Sequence, residues 1–106
     1  MMSKEKIVKI LMVAEEEDIT VTLPTLRRLM RLMKIEENVL DELIDEGKVR
    51  FEEIPAIGEN EARFGKLPVV RLVGKVNQEI SEDERSAIEL VLRTKTKDAE
   101  KYLGIL

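Results

Sequence analysis

The side chains best able to do chemistry in this chain are charged, and they form two adjacent clusters of opposite sign. Residues 24–34 contain no acid and four bases, Arg27, Arg28, Arg31 and Lys34. Residues 36–46 contain six acids and no base. Guanidinium and ammonium groups bind phosphate oxygens, whereas a run of carboxylates repels them. The first cluster predicts a phosphate-binding patch or a solvated helix face, and the second a docking surface for a basic partner or a solubilising face.

The residue types on which most catalytic and metal sites depend are missing. The chain contains neither histidine nor cysteine, which removes the commonest general base, the thiolate ligands and any disulfide. Ser3, Ser81 and Ser86 therefore have no imidazole to activate them. The acidic run at 15–18 lacks the spaced ligands and the turn glycine of a calcium loop. We predict that the protein is not an enzyme and that it binds no metal or cofactor.

Length and composition favour one small domain that spans residues 1–106. Hydrophobic residues make up 43% of the chain and aromatic residues only 3%, which predicts an aliphatic core. Charged residues make up 38%, a share typical of thermophilic proteins, and the formal net charge of −4 gives no overall attraction to nucleic acid or to anionic membranes. No apolar run approaches a signal peptide or the roughly 20 residues of a membrane span. We expect a cytoplasmic protein without membrane association.

Hydrophobic periodicity predicts three helices in the first half of the chain. Apolar residues recur at helical spacing over 4–15, a second helix begins at Pro24, and a third covers 33–46 and stops at Gly47. The turn between the second and third helices is expected at 32–35. A β-branched stretch at 19–23 predicts a short strand before the second helix.

The second half of the chain predicts a hairpin followed by a helix. Apolar and charged residues alternate at 48–52 and again at 68–76, and the segment 55–67 between them contains proline and glycine. Ser81 and Glu84 have the spacing of a capping box, in which each side chain accepts a backbone N–H of the other residue. This box predicts a C-terminal helix over about 82–103.

The segment 40–49, LDELIDEGKV, resembles the end of the recognition helix and the start of the first wing strand in the winged helix-turn-helix superfamily. Together with the element order, this likeness covers about residues 20–76 and is greatest to small winged-helix domains of archaeal-type transcription and replication factors. The resemblance implies an α+β fold, in which a three-helix core and a β-hairpin wing occupy about 4–76 and the C-terminal helix is an addition.

Winged-helix proteins often place the third helix in the major groove of DNA, but here that helix is acidic and would be repelled. The resemblance therefore implies a regulator that contacts the phosphate backbone of double-stranded DNA weakly and salt-sensitively through the second helix and the wing. The residues expected to do so are Arg27, Arg28, Arg31, Lys34, Arg63 and Lys66. The alternative is a protein-interaction module of a transcription or replication assembly. It would dock a basic partner through Glu37, Asp41, Glu42 and Asp45.

Apolar residues near both ends of the chain raise the question of a homodimer. Val8, Met12 and Val13 lie on the first predicted helix, and Leu103, Ile105 and Leu106 lie at the end of the chain. Such residues can form a symmetric interface between two copies, or they can pack on each other within one chain. The sequence leaves both interpretations open.

Overall fold

The computed structural model describes residues 2–55, 66–74 and 78–93, and within them the chain is an α+β domain. The described residues form four helices and one antiparallel hairpin, which confirms the predicted class. Their bounds are α1 Met2–Glu16, α2 Leu23–Leu32, α3 Asn38–Asp45, β1 Val49–Pro55, β2 Lys66–Leu72 and α4 Glu82–Arg93. No helix in this part of the chain is long and apolar enough to cross a membrane.

The core is aliphatic, as the composition predicts, and α1 lies at its centre. The helical stripe of α1 is fully buried at Ile7, Ile10 and Leu11. Leu26 and Met30 of α2 and Leu43 of α3 pack in the same layer, and none of the described buried side chains is polar or charged. Burying an apolar side chain of this size stabilises the fold by roughly 1.5–3 kcal/mol, so these positions dominate the energetics.

The second helix begins as predicted, but the third begins later than predicted. Thr22 caps α2, because its hydroxyl accepts the N–H of Thr25 at 3.3 Å. The turn predicted at 32–35 is present at 33–37, where Lys34 adopts φ +60°, and α3 therefore begins at Asn38 rather than near residue 33. Ile35 is still buried, although it lies in the turn before α3.

The same hydrogen-bond pattern ends α1, α2 and α3. In each, a residue at positive φ donates to the carbonyl three positions back, and the next residue donates to the carbonyl five positions back. Ile19, Ile35 and Lys48 make the second bond at 2.7, 2.8 and 3.0 Å. The residues at positive φ are Asp18, Lys34 and Gly47. Only the last is a glycine, the residue whose missing Cβ suits this conformation.

The predicted short strand at 19–23 is reduced to a single β-bridge. Thr22 pairs with Val69, and the N–H of Val70 donates to the carbonyl of Val21 at 2.9 Å. The bridge places the start of α2 beside β2, on the edge of β2 that faces away from β1.

The hairpin has the predicted antiparallel order but different ends. Val49 pairs with Leu72 and Pro55 with Lys66. β1 therefore continues to Pro55, beyond the predicted end at residue 52, and β2 begins at Lys66, before the predicted start at residue 68. The prediction that the second strand continues to residue 76 is wrong, because β2 ends at Leu72 and Gly74 follows at φ +69°. Residues 75–77 lie outside the described part of the chain.

The capping box is confirmed, and it fixes the start of α4. The N–H of Glu84 donates to Ser81 Oγ at 3.2 Å, and the N–H of Ser81 donates to Glu84 Oε1 at 3.3 Å. Ile88 of α4 packs against Ile10 and Val13 of α1. The predicted helix beyond residue 93 lies outside the described residues.

The apolar residues of α1 that suggested a homodimer are already buried or half-buried within one chain. Val8 and Val13 are buried among residues of the same chain, and Met12 is half-buried. Leu103, Ile105 and Leu106 lie outside the described residues. A dimer through the first and last helices stays a prediction.

A part-buried ion pair also joins α1 to α4. Lys9 Nζ lies 2.6 Å from Glu84 Oε2, while the other carboxylate oxygen accepts from Ser81. The ammonium of Lys9, together with the N–H of Ser81, holds the pKa of Glu84 below its ordinary value. A carboxyl with a lowered folded-state pKa stabilises the fold above its unfolded pKa, near 4.3, and loses that contribution as pH falls through the folded value.

We expect Glu84→Gln to destabilise the protein by up to about 1 kcal/mol at pH 7, since the amide keeps the capping geometry but loses the charge pair with Lys9. Urea unfolding monitored by circular dichroism at pH 7 and at pH 3 measures this. The difference from the unmodified protein should shrink in acid, because the stability that comes from the lowered pKa of Glu84 is lost as pH falls below its unfolded pKa. Glu82→Gln, on the exposed first turn of α4, is the control. A difference that is equal at both pH values would contradict the charge-pair explanation.

Candidate functional surfaces on the second and third helices

The four basic residues predicted to bind phosphate lie on one side of α2 and at its C-terminal end. We call Arg27, Arg28, Arg31 and Lys34 the basic ridge. Leu26, Leu29 and Met30 point from α2 into the core, so the three arginines occupy the opposite side of the helix. Arg27, Arg31 and Lys34 are exposed, and Arg28 is half-buried. The structure therefore brings together the four predicted residues that precede the hairpin.

Members of the basic ridge differ in how far their charges are already engaged. Arg27 Nε lies 3.7 Å from Glu37 Oε1, and both side chains are more than half exposed. Arg28 Nε is buried and has no hydrogen-bond partner among the residues described. No ion pair joins Arg31 or Lys34 to any residue in the described ranges. Arg31 and Lys34 are thus the exposed cations of the ridge that remain available to an anion.

The predicted basic residues of the hairpin are only partly placed. Arg63 lies outside the described residues, and Lys66 begins β2 with a side chain that is not described. Two other bases occupy the strands, where Arg50 and Arg71 are directly opposite each other. Glu52 Oε2 lies 3.2 Å from Arg50 Nη1 and 2.8 Å from Arg71 Nε. One carboxylate therefore offsets the repulsion between these two guanidinium groups.

The acidic residues predicted to dock a partner are all exposed on α3. We call Glu37, Asp41, Glu42 and Asp45 the acidic face. Leu40 and Leu43 fix its orientation, because they are buried on the other side of the helix. The resulting outward surface is the one that would enter a DNA groove if α3 acted as a conventional recognition helix.

One flank of α3 is neutralised by a residue that the sequence analysis did not identify. Lys4 Nζ, on α1, lies 2.6 Å from Glu46 Oε2 and 3.9 Å from Glu42 Oε2. The hydrogen bond between Lys4 and Glu46 raises the pKa of the lysine and lowers that of the carboxyl. No local signal predicts this pair, since its members are 42 positions apart in the chain.

The centre of the acidic face is not neutralised by any described residue. Asp41 and Asp45 are exposed, lie one helical turn apart, and have no ion-pair partner within the described segments. Glu37 at one flank is near Arg27, and Glu42 at the other is near Lys4. The acidic face therefore presents a strip of negative charge bordered by weak ion pairs.

The acidic run at 15–18 has structural contacts at each of its glutamates. Glu15 Oε1 accepts the N–H of Leu72 at 3.3 Å. This N–H lies on the edge of β2 that faces away from β1, so the carboxylate satisfies a backbone donor that β1 does not bond. Glu16 binds Arg85, and Glu17 lies 3.9 Å from Arg93, so both join the end of α1 to α4. This run therefore helps hold α1 against its neighbours.

Comparison of the chain with protein-family models, with curated proteins and with solved structures found no match. The functional argument accordingly depends on the residues and their geometry.

Proposed function

We propose that the protein is a non-catalytic winged-helix regulator that binds the phosphate backbone of duplex DNA through the basic ridge. The acidic face of α3 stays out of the major groove in this mode of binding. Contacts of this kind neutralise phosphates without reading base edges, so the affinity is weak, falls steeply with salt and depends little on sequence.

The order and contacts of the elements support the winged-helix assignment. One helix, a bridging residue, two helices and a hairpin follow each other, and the bridge at Thr22 joins the hairpin on the side of β2. Residues 33–37 make the short connection between α2 and α3. This layout is compatible with the fold that the segment 40–49 resembles.

The observation that carries the proposal is the contrast between two exposed surfaces on adjacent helices. Arg31 and Lys34 are exposed cations without a described partner, whereas Asp41 and Asp45 are exposed anions without one. A phosphate group is attracted to the first pair and repelled by the second. DNA binding through α2 rather than α3 follows from that contrast.

Fluorescence anisotropy with a generic fluorescent duplex tests the proposal. We expect binding at low salt that weakens strongly toward about 150 mM, with a slope of log affinity against log salt near −0.9 for each phosphate contact. Arg31→Glu and Lys34→Glu should each weaken binding and reduce the slope. Arg93→Glu, the same charge change on α4, is the control and should have a smaller effect. Equal losses for all three variants would contradict a site on the basic ridge.

A second candidate function is a protein-interaction module that docks a basic partner through the acidic face. Asp41 and Asp45 favour it, because neither has an ion-pair partner among the described residues, so a basic partner could neutralise them without displacing a described ion pair. No binding of the duplex at low salt would make this the better proposal.

A further inference from the structure

The outer edge of β1 has no pairing partner in the described part of the chain. Among the described residues the sheet contains two strands, and the bridge at Thr22 lies against β2, so no described strand pairs with the opposite edge of β1. An edge strand presents a row of backbone donors and acceptors that can pair with another strand. β1 has seven residues, which is ample length for such pairing.

The hydrogen bonds of β2 show which residues of β1 have backbone N–H and C=O groups that point toward this edge. The N–H groups of Val70 and Leu72 point away from β1, toward Val21 and Glu15. Because the backbone direction alternates along a strand, Val69 and Arg71 face β1. Their register partners Glu52 and Arg50 therefore face β2, and the backbone groups of Val49, Phe51 and Glu53 point outward.

The centre of this edge carries an exposed aromatic side chain. Phe51 is 46% exposed, although its neighbour Val49 on the same face of the hairpin is buried. A half-exposed ring at the centre of an edge strand adds apolar area that a second strand would bury.

We propose that β1 pairs antiparallel with β1 of a second copy of this chain, about a two-fold axis at Phe51. Phe51 then lies opposite Phe51 of the partner subunit and exchanges both backbone hydrogen bonds with it. Arg50 lies opposite Glu52 of the partner subunit, and Glu52 opposite Arg50 of the partner subunit. The two hairpins become one continuous four-stranded sheet.

Charge complementarity selects this axis from the alternatives. A two-fold axis can pass through a hydrogen-bonded or a non-hydrogen-bonded pair of an antiparallel ladder, so residues that face β2 are candidates as well. An axis at Arg50 or at Glu52 would place that residue opposite its own copy, with like charges directly opposed. An axis at Val49 would place Lys48 opposite a second Arg50, and an axis at Glu53 would place two copies of Glu53 opposite each other. Only the axis at Phe51 gives opposite charges at the flanking pairs, and opposite-charge cross-strand pairs stabilise a sheet.

The interface is distinct from the basic ridge and from the acidic face. The described ion pairs of the hairpin involve Arg50, Arg71 and Glu52, and none of these residues belongs to either surface. The proposed dimer therefore does not require nucleic-acid binding. If the DNA-binding proposal fails its experiment, the dimer proposal can still be tested, and the reverse also holds.

A charge-reversal pair gives the sharpest test, with mass measured by light scattering or sedimentation over a wide range of concentrations. The unmodified chain should approach twice its 12.2 kDa mass as concentration rises. Arg50→Glu places like charges opposite each other in its own dimer, and so does Glu52→Arg. Each should dimerise about tenfold more weakly or worse. An equal mixture of the two variants should dimerise again, because every flanking pair is then opposite in charge.

Arg31→Glu makes the same change in net charge as Arg50→Glu at a position outside β1. It is the control and should dimerise normally. An unmodified chain that stays monomeric at every concentration would overturn the proposal. So would dimers that persist in both single variants, which would favour an interface elsewhere, such as the first and last helices.

If a charge variant fails to fold, two substitutions of Phe51 keep the test decisive. Phe51→Pro removes an N–H that points away from β2, so it blocks pairing with a second copy but costs no bond of the hairpin. Phe51→Thr keeps that N–H and removes the ring. Dimerisation should be lost with proline and only weakened with threonine. Retention of the dimer by the proline variant would contradict pairing at this edge.

Discussion

Replacing Leu26 by alanine is expected to lower the free energy of unfolding by about 2–5 kcal/mol. Leu26 is fully buried on α2, in the layer that also contains Ile7 and Leu43. The substitution removes apolar area from the core and leaves a cavity that the neighbouring aliphatic side chains fill only in part. In a domain of about 100 residues, 1 kcal/mol shifts the melting temperature by roughly 4–8 °C, so the loss should be at least about 8 °C.

Leu90→Ala is the matched control for this prediction. It makes the same chemical change on a helix, but Leu90 is 43% exposed on α4. We expect a loss of about 1 kcal/mol or less, since the side chain has little buried surface to lose. Urea unfolding followed by circular dichroism measures both variants. Similar losses at the two positions would contradict the placement of Leu26 in the core.

Periodicity predicted the buried faces of the helices well, because local spacing determines which residues share one side of a helix. The apolar period predicted over 4–15 includes Ile7, Ile10 and Leu11, and all three are fully buried. The capping box at Ser81 and Glu84 was likewise predicted from spacing and is present.

Glycine after a helix is the residue type that marks a helix end most clearly in a sequence. The stop after α3 was expected from Gly47, which adopts φ +73°. Asp18 and Lys34 adopt the same conformation without being glycine, and tertiary packing compensates their strain, since Ile35 after Lys34 is buried. The turn around Lys34 was expected from the sequence, but its extension to residue 37, which delays the start of α3, was not.

The two charged surfaces were predictable as sets of residues, but their state of pairing was not. Sequence spacing placed Arg27, Arg28 and Arg31 on one side of a helix, and the structure agrees. It could not show that Arg27 lies near Glu37 while Arg31 has no described partner, or that Arg28 Nε is buried. Such differences depend on contacts between separate elements, and they decide which cations can bind a phosphate.

In the proposed mode of binding, the acidic face would limit the affinity of the protein for DNA. The basic ridge and the acidic face are separated only by the turn at 33–37, and Arg27 and Glu37 approach each other across it. A duplex bound to Arg31 and Lys34 therefore brings further phosphates toward Asp41 and Asp45. Their repulsion opposes the attraction of the ridge, which is why we expect weak binding. The salt dependence comes from the phosphate contacts of the ridge itself.

Reversing the charge at the centre of the acidic face should consequently have the largest effect on DNA binding. We expect Asp41→Lys combined with Asp45→Lys to raise duplex affinity about tenfold or more at low salt. The two substitutions change the local charge by four units, and a charge pair at 4 Å contributes about 1 kcal/mol even in water. Both positions are exposed and without a described ion pair, so the fold should be retained.

Glu79→Lys combined with Asp83→Lys is the matched control, because it makes the same change in net charge at exposed positions at the start of α4. A rise confined to the α3 variant would mean that α3 lies beside the bound duplex, as the winged-helix arrangement requires. Equal rises would mean that only overall charge matters and that the acidic face lies far from DNA. In that case Asp41 and Asp45 would be better explained as the docking surface for a basic protein, and the same α3 variant should lose that partner.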